Sequence, residues 1–354
     1  MEEKKDTLGM LDLVIRPGFC VRKNQIIKVN QAAESLFITP GTDIRPLLLT
    51  GAEEYAAFSG GCLYLTLNLS SHSCGASVTR VDDIDVFLLE QESDNGELRS
   101  MALAARELRE PLSNVMITAD SLFPLCAAEG NPRTAEQVAR LNRGLFQILR
   151  IIGNMSDAER CAAVSRQETA DIPALFAEFF EKAEALISHT GIALTYEGLD
   201  RPVYGLADRE QLERAVLNIL SNAIKFTPKD GTVAAKLTRS GRMLRLSVTD
   251  SGSGIAQSVR SSVFSRYLRQ PALEDSRYGI GLGMVLIRTA AAHHGGAVLI
   301  DQPDGKGTRI TMTMAIRQSR QATLRSNVLR EDYAGVRDHG LIELSECLPT
   351  ELYE

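Results

Sequence analysis

The sequence has no long apolar run. No window approaches the roughly 18 uncharged apolar residues that a membrane-crossing helix requires. The first residues, MEEKKDTLGMLDLVI, are charged and lack the long apolar core of a signal peptide. The sequence therefore predicts a soluble, cytoplasmic chain without a membrane span.

Cysteine pairs and an excess of basic charge are missing as well. The six cysteines are scattered and form no C-x-x-C pair, which fits reduced thiols better than a disulfide framework or a zinc site. The net charge of −6 gives no reason to expect a nucleic-acid partner. Because 354 residues exceed the usual size of one domain, two or three domains are expected.

Four short motifs follow one another in the second half of the chain. They are, in order, Asn218-x-x-x-Asn222-Ala-x-Lys225-Phe226-Thr227, Asp250-x-Gly252-x-Gly254, Phe264-x-Arg266-Tyr267 and Gly279-x-Gly281-x-Gly283. Together they resemble the N, first-glycine, F and second-glycine boxes of the sensor histidine kinases, within the GHKL ATPase superfamily. One such motif is weak evidence, whereas four in the family's order are specific. The resemblance implies an ATP site in an α/β two-layer sandwich over residues 168–317.

The side chains of the N box are of the kinds that bind Mg²⁺ and the phosphates of ATP. Asn218 and Asn222 lie one helical turn apart, on one face of a predicted helix. Carboxamide oxygens are ligands that Mg²⁺ accepts alongside phosphates and water. The resemblance implies that Asn222 binds Mg²⁺ with Asn218 beside it, while Lys225 contacts the phosphates as a point charge. Taken alone, Asn218 would be interpreted as part of the polar face of a helix.

The other boxes supply the remaining implied contacts. The resemblance implies that Asp250 accepts a hydrogen bond from the adenine amine. Gly252 and Gly254 permit positive φ and a close approach of the backbone to the base. The alternative for this motif is a glycine-rich turn with an Asp as its side-chain cap. Backbone N–H groups at the start of the helix that follows the second-glycine box favour anions. Residues 255–278 would form the family's lid, and the further implied nucleotide contacts are Arg266, Gly279, Gly281, Gly283 and Thr308.

A heptad pattern precedes this domain. On the first predicted helix, two rows of apolar residues each repeat every seven positions: Leu98, Ala105, Leu112 and Ala119, and Met101, Leu108, Val115 and Leu122. Two further rows follow the break at residues 129–133: Val138, Leu145 and Ile152, and Leu141, Ile148 and Met155. The spacing predicts an antiparallel helical hairpin over residues 97–165, with a core too thin to stand alone. Two copies pairing into a four-helix bundle would bury both seams, so the chain is predicted to dimerise there.

The hairpin resembles the HisKA dimerisation hairpin of the histidine kinases, but its acceptor is replaced. The family's first helix carries His-Glu-Leu-Arg-Thr-Pro-Leu with the histidine as phosphoryl acceptor, and the matching stretch here reads Arg106-Glu107-Leu108-Arg109-Glu110-Pro111-Leu112. A guanidinium has no free lone pair, so it cannot attack a γ-phosphate as a neutral imidazole does. No histidine of the chain falls in the hairpin; they are His72, His189, His293, His294 and His339. Autophosphorylation at Arg106, with Glu107 beside it, is therefore not expected.

Residues 1–93 alternate short apolar runs with turn signals. Phe19–Val21 and Gln25–Val29 predict strands, and Asn30 predicts the N-cap of the short helix that follows. The run from Ile26 to Phe37 resembles the opening of a PAS domain, a small sensory α+β module; the alternative is an unrelated α+β domain. Residues 93–96 predict a linker. The polar residues 318–354 show no clear period and predict an appendage or a docking tail.

The predicted fold class is thus α+β multidomain, and three functions fit it. The first is a sensor histidine kinase homologue of a two-component system, which binds Mg·ATP and phosphorylates a histidine on another chain. Its partners would be a second copy or a related kinase, and a response regulator. The second is a pseudokinase, a dimeric module that responds to nucleotide. The third is a serine kinase or ATPase of a neighbouring GHKL branch, although the hydrolysing branches place a Glu general base where this chain has Asn218.

Overall fold

An antiparallel sheet with two short helices forms the N-terminal part of the chain. The computed structural model describes residues 8–9, 11–69, 72–90, 93–128, 131–160, 166–255, 263–264, 282–303, 306–318 and 337–353. The strands are β1 (Gly18–Arg22), β2 (Gln25–Val29), β3 (Cys62–Asn68), β4 (Ser73–Val81) and β5 (Ile84–Leu89). Between β2 and β3 lie α1 (Gln31–Glu34) and α2 (Ala52–Ala56). The strands are arranged in the order β2-β1-β5-β4-β3.

Asn30 is the N-cap of α1, as predicted. Its side-chain oxygen accepts a hydrogen bond from the backbone N–H of Ala33 at 3.0 Å, which satisfies one of the free donors of the first helical turn. The same oxygen accepts from the N–H of Gly18 at 3.0 Å, and the side-chain amide donates to the carbonyl of Arg16 at 2.8 Å. Asn30 therefore also fixes the start of β1.

Two long helices follow and contact each other along their length. Helix α3 (Ser93–Ala128) and helix α4 (Pro132–Arg160) are joined by three residues. The predicted linker at residues 93–96 is wrong, because the helix begins at Ser93, and polar and acidic residues are favoured in a first turn. Among the helices that the structure describes, none is long and apolar enough to cross a membrane.

The heptad rows of the hairpin are buried unequally. One row of each helix lies inside the protomer: Ala105, Leu112 and Ala119 on α3, and Leu145 and Ile152 on α4. The other row is exposed by about half: Leu108, Val115 and Leu122 on α3, and Leu141 and Ile148 on α4. The intramolecular contact between α3 and α4 thus uses only half of the apolar seam.

The C-terminal half is a layer of helices on a mixed sheet. Its helices are α5 (Ile172–Ile187), α6 (Arg209–Phe226) and α7 (Gly283–His293). The strands are β6 (Glu168–Asp171), β7 (Ala193–Glu197), β8 (Tyr204–Ala207), β9 (Thr232–Ser240), β10 (Met243–Asp250), β11 (Val298–Asp301) and β12 (Arg309–Ala315). Strands β6 and β8 form a separate two-stranded sheet. Phe176, Phe179 and Phe180 of α5 are almost fully buried in the core.

The N-terminal and C-terminal sheets join into one sheet of ten strands. Its order is β2-β1-β5-β4-β3-β11-β12-β10-β9-β7. The junction is antiparallel, with Leu63 of β3 opposite Leu299 of β11. Among the strands that the structure describes in this sheet, only β7 and β9 pair in parallel. Residues 1–93 and 168–317, predicted as separate domains, therefore share main-chain hydrogen bonds.

The last described segment, residues 337–353, is folded onto the helices. It contains α8 (His339–Glu343) and a 3-10 turn at Thr350–Tyr353. Ile342, Leu344, Leu348 and Tyr353 are at most 2% exposed, and they pack in the same core as α4, α5 and α6. Residues 337–353 of the predicted appendage or docking tail therefore pack onto the helices through their few apolar side chains.

Candidate functional site

Helix α6 carries the first motif. Asp208 caps its N-terminus by accepting a hydrogen bond from the backbone N–H of Gln211 at 3.1 Å. The buried residues of its apolar face hold the helix against the sheet and α7. Asn218 lies toward this interior and is 1% exposed, whereas Asn222 and Lys225 are partly buried. The three polar residues of the N box thus line one side of α6, as predicted.

The end of the second-glycine box lies directly against these amides. Gly283 begins α7, and a Cβ atom at this position would lie only 2.8 Å from Oδ1 of Asn218. A side chain at this position would require the Asn218 amide to move. The sulfur of Met284 is 3.9 Å from Nδ2 of Asn222. Asn218 and Asn222 therefore lie against the N-terminus of α7, and Lys225 follows on α6 less than one turn after Asn222. Such groups suit phosphates and Mg²⁺.

A second cluster forms around Asp250, at the end of β10. Its Oδ1 accepts hydrogen bonds from the backbone N–H of Gly252 at 2.8 Å and from that of Thr308 at 3.1 Å. Burial raises the pKa of Asp250, while these hydrogen bonds oppose the shift. A Cβ atom at Gly252 would lie 2.4 Å from the carbonyl oxygen of Phe226, so the turn lies against the last residue of α6. Gly254 has φ +76°, where an L side chain is strained.

Asp250 therefore does cap a glycine-rich turn, which was the alternative interpretation of its motif. One carboxylate oxygen serves both backbone donors. The cluster of Asp250, Gly252, Gly254 and Thr308 remains together beside the C-terminal end of α6, while Asn218 and Gly283 meet further toward its middle. The two clusters are where the base and the phosphates of a nucleotide were predicted.

The F box is described only at its first residue. Phe264 is 2% exposed, and its ring centroid is 5.6 Å from that of Tyr64 on β3. Arg288 of α7 donates to the carbonyl of Phe264 at 3.0 Å and lies 4.9 Å from the centroid of the Tyr64 ring. Glu90, after β5, forms an ion pair with the same guanidinium. The N-terminal sheet therefore contacts the start of the F box. The predicted contacts Arg266, Gly279 and Gly281, with most of residues 255–278, lie outside the described residues.

Sequence reasoning missed one acidic residue at the N box, Glu343 of α8. Its carboxylate is fully buried and accepts from Nε of Arg214 at 3.2 Å, from Nε of Arg150 at 3.4 Å and from Nδ2 of Asn218 at 3.3 Å. Arg150 lies on α4 and Arg214 on α6. A buried carboxylate requires such compensation by charge and hydrogen bonds.

A second acidic residue, Glu346, holds the lysine of the N box. One carboxylate oxygen lies 2.9 Å from Nζ of Lys225 and 3.0 Å from Nη1 of Arg150. Burial raises the pKa of Glu346, but the attraction of Arg150 and Lys225 outweighs it and brings this pKa below its ordinary value. No signal in the sequence connects residues 343 and 346 with residues 218 and 225, because the connecting stretch has no periodic pattern.

His294, at the end of α7, has a structural role. The backbone N–H of Asp208 donates to its Nε2 at 3.0 Å, so the ring proton resides on Nδ1, which donates to the carbonyl of Ala290 at 2.7 Å. Burial lowers the pKa of this histidine below its ordinary value. The neutral ring therefore links the N-cap of α6 to the last turn of α7.

The acceptor position on α3 bears no histidine and faces solvent. Arg106, Glu107 and Glu110 are all exposed. Among the described residues, no hydrogen bond or ion pair connects Arg106 with the nucleotide motifs. The nearby Arg109 donates to Oγ of Ser156 at 3.4 Å, across the hairpin. The guanidinium of Arg106 is not a nucleophile suited to phosphoryl transfer.

The proteins to which this chain is similar are histidine kinases and related ATPases. Residues 207–318 match the family model of histidine kinase-, DNA gyrase B- and HSP90-like ATPases. An uncharacterized sensor-like histidine kinase of Rhizobium meliloti is 30% identical over 277 residues, which are 73% of this chain and 52% of that protein. The adaptive-response sensory kinase SasA of Synechocystis is 27% identical over 264 residues, 70% of this chain and 68% of that protein. Full-length ShkA in complex with AMPPNP has a TM-score of 0.48 at 23% identity, over 62% of this chain and 46% of that one.

The fold and the motifs thus define a GHKL-type ATP-binding domain on a mixed α+β chain. In sequence, the chain is a homologue of sensor histidine kinases. It spans about half the length of the Rhizobium relative.

Proposed function

We propose that this chain binds Mg·ATP between α6, α7 and the turn after β10, and donates a phosphoryl group to a histidine on another chain of a two-component system. The observation that carries the proposal is the convergence of the separate motifs on α6. Asn218 meets Gly283 near its middle, and Gly252 meets Phe226 at its end. A nucleotide extended along this helix would touch both clusters.

The residues present fit Mg·ATP. Asn222 would hold Mg²⁺ through its amide oxygen, with Asn218 beside it, and Lys225 would neutralise phosphate charge. Asp250 would accept a hydrogen bond from the adenine amine. The bound metal would offset charge on the phosphates during transfer. By resemblance, Arg266, Gly279, Gly281, Gly283 and Thr308 complete the set of nucleotide contacts.

The acceptor in this proposal comes from another chain. Arg106 cannot accept a phosphoryl group, and the hairpin sequence contains no histidine. Phosphoryl transfer depends mostly on positioning and charge neutralisation, which the donor site supplies. A response regulator would then receive the phosphoryl group from the partner's histidine.

The domain organisation supports such signalling. We propose a PAS-like sensory domain over residues 1–93, a HisKA-like dimerisation hairpin over 97–165, an ATP-binding domain over 168–317 and a C-terminal segment over 318–354. The exposed apolar row of α3 and α4 supports a four-helix bundle with a second copy or a related kinase. The β2-β1-β5-β4-β3 order with helices between β2 and β3 supports the PAS-like interpretation. The protein would act in the cytoplasm.

A second candidate is a pseudokinase, and Arg106 is the observation that favours it. The chain would bind nucleotide without transferring phosphate, and its nucleotide state would alter the hairpin or the N-terminal sheet. The contact of Arg288 with both Phe264 and Tyr64 offers a route between these parts.

One experiment separates the two candidates. The wild-type chain is incubated with γ-labelled ATP together with an acceptor chain of the same protein carrying Arg106→His and Asn222→Ala. The acceptor then offers a histidine but lacks the predicted metal ligand. Acid-labile label on the acceptor supports transfer to another chain. Label on the wild type alone would contradict both candidates.

Controls make a negative result informative. If nucleotide binds but no label appears on either chain, the pseudokinase is the correct function. Asn222→Ala and Asp250→Ala should each abolish nucleotide binding, whereas Asp200→Ala, at an exposed loop position, should not. Failure of every chain to bind ATP would refute the proposed site.

A further inference from the structure

The C-terminal segment reaches into the predicted phosphate end of the nucleotide site. Residues 337–353, called here the C-terminal clamp, bring two carboxylates to α6. Glu343 accepts from the side-chain amide of Asn218 at 3.3 Å, and Glu346 lies 2.9 Å from Nζ of Lys225. Lys225 is the cation that the N box offers to the phosphates, and Asn218 lies beside the proposed Mg²⁺ ligand Asn222.

Carboxylates and phosphates compete for the same kind of partner. Each is an anion that accepts charge-assisted hydrogen bonds, so a carboxylate that holds a lysine ammonium weakens the attraction of that ammonium for a phosphate. The Lys225 side chain is only 11% exposed under the clamp. Asn218 is likewise closed off from solvent. A nucleotide therefore meets an N box whose phosphate-binding groups already have anionic partners.

The clamp is anchored outside the site, on α4. Arg143 donates through Nε to the carbonyl of Ser345 at 2.9 Å and through Nη2 to that of Glu346 at 3.0 Å. The Tyr353 ring makes an edge contact with Phe146 at a centroid distance of 5.3 Å. These contacts leave the backbone of the clamp fixed to the hairpin, so the two carboxylates can be displaced without unfolding the whole segment.

We propose that the C-terminal clamp is an autoinhibitory element, whose carboxylates compete with the phosphates of Mg·ATP for Asn218 and Lys225. The phosphates displace Glu346 first, because its side chain is 30% exposed, and they displace the fully buried Glu343 later. Because Glu343 also joins Arg150 of the hairpin to Arg214 of α6, nucleotide binding would loosen the contact between these two parts. This inference rests on the proposed function of the site.

The first test removes one charge from the clamp. Affinity for Mg·ATP is measured by calorimetry on the full chain carrying Glu346→Gln. Loss of this competitor for Lys225 is expected to tighten binding roughly tenfold, since charge-assisted hydrogen bonds contribute at least that much. Glu351→Gln is the matched control, because it removes the same charge from an exposed position in the clamp and should leave the affinity unchanged. Unchanged or weaker binding by Glu346→Gln would overturn the inference.

The second test locks the clamp in place. Sγ of Cys347 lies 3.8 Å from Oγ of Ser221, so Ser221→Cys places two thiols where a small side-chain adjustment allows a disulfide. Peptide mass mapping verifies the bridge. The oxidised variant should bind Mg·ATP at least tenfold more weakly than the same protein after reduction, and oxidised wild type should bind normally. Equal affinity in both redox states, or a bridge that does not form, would contradict the docked clamp.

The two proposals fail in different ways. If neither wild type, nor Glu346→Gln, nor reduced Ser221→Cys binds Mg·ATP, the nucleotide site itself is refuted. If all of them bind with the same affinity and the disulfide changes nothing, the site stands and only the autoinhibitory role is refuted. Binding by Glu346→Gln where the wild type shows none would support both.

Discussion

A single carboxylate on the exposed row of the hairpin should separate the proposed dimer. Five side chains of that row are exposed between 46% and 54%: Leu108, Val115, Leu122, Leu141 and Ile148. We choose Ile148→Asp, because Ile148 lies on the surface of the protomer, where a substitution costs little folding stability.

The magnitude follows from the exposed fraction. Fully burying a Leu, Ile or Val side chain contributes about 1.5–3 kcal/mol, so completing the burial of a half-exposed one contributes about 1 kcal/mol. Five such residues on each protomer give about 10 kcal/mol before the cost of association. Because the dimer is symmetric, Ile148→Asp removes the burial energy of two isoleucine side chains and places two uncompensated carboxylates in the interface. A loss of about 4 kcal/mol or more raises the dimer Kd by about a thousandfold.

The assay is sedimentation velocity over a range of protein concentrations, with circular dichroism to confirm that the helices are retained. Ile117→Asp is the matched control, because Ile117 is 66% exposed on α3 but lies outside both heptad rows. Its dimer should remain intact. An unchanged Kd for Ile148→Asp, or dissociation by Ile117→Asp, would refute the assignment of this surface.

Three further predictions concern the interior. Gly283→Ala should weaken Mg·ATP binding about tenfold in calorimetry, because overpacking against α6 costs about 1–3 kcal/mol, whereas Gly144→Ala, with open space around it, should not. Because burial lowers the pKa of His294, below pH ~6.5 this ring is protonated in the unfolded chain before it is protonated in the folded one. In urea titrations the free energy of unfolding should therefore decrease as the pH is lowered below ~6.5, by up to about 1.4 kcal/mol per pH unit, and His294→Gln should remove this part of the slope. Arg288→Met should lower the free energy of unfolding by about 3 kcal/mol, and a double-mutant cycle with Tyr64→Leu should show coupling of about 1 kcal/mol; additive effects would contradict the contact.

The local elements of the ATP-binding domain could be predicted closely from the sequence. Asn218 and Asn222 were predicted to lie on one face of a helix, and helix α6 is observed over Arg209–Phe226 with Asp208 as its cap. Periodicity and capping are local signals, so they can be recognised without knowledge of the tertiary structure. The meeting of Asn218 with Gly283 was predictable only through the family resemblance, because no spacing rule joins residues that far apart.

Contacts that depend on tertiary pairing could not be predicted. In the sequence, Glu343 is one of several acidic residues in a polar stretch, and nothing there indicates burial. Its full burial is explained only by its contacts with the buried Arg214 and Arg150. The pairing of β3 with β11 is of the same kind, since an edge strand accepts any partner whose register suits it. The helix start at Ser93 was missed because its polar first turn resembles a linker.

The ten-stranded sheet bears on how this protein can be divided and produced. Strand β11 obtains one of its two hydrogen-bonding neighbours from the N-terminal residues, through the pairing of Leu299 with Leu63. An isolated fragment beginning at residue 168 would expose that edge, with its unpaired backbone groups, to neighbouring chains. Such a fragment should aggregate more readily than the full chain. Fragments of this protein should therefore retain residues 11–90, and replacing its N-terminal module with that of a relative would require a matching edge strand.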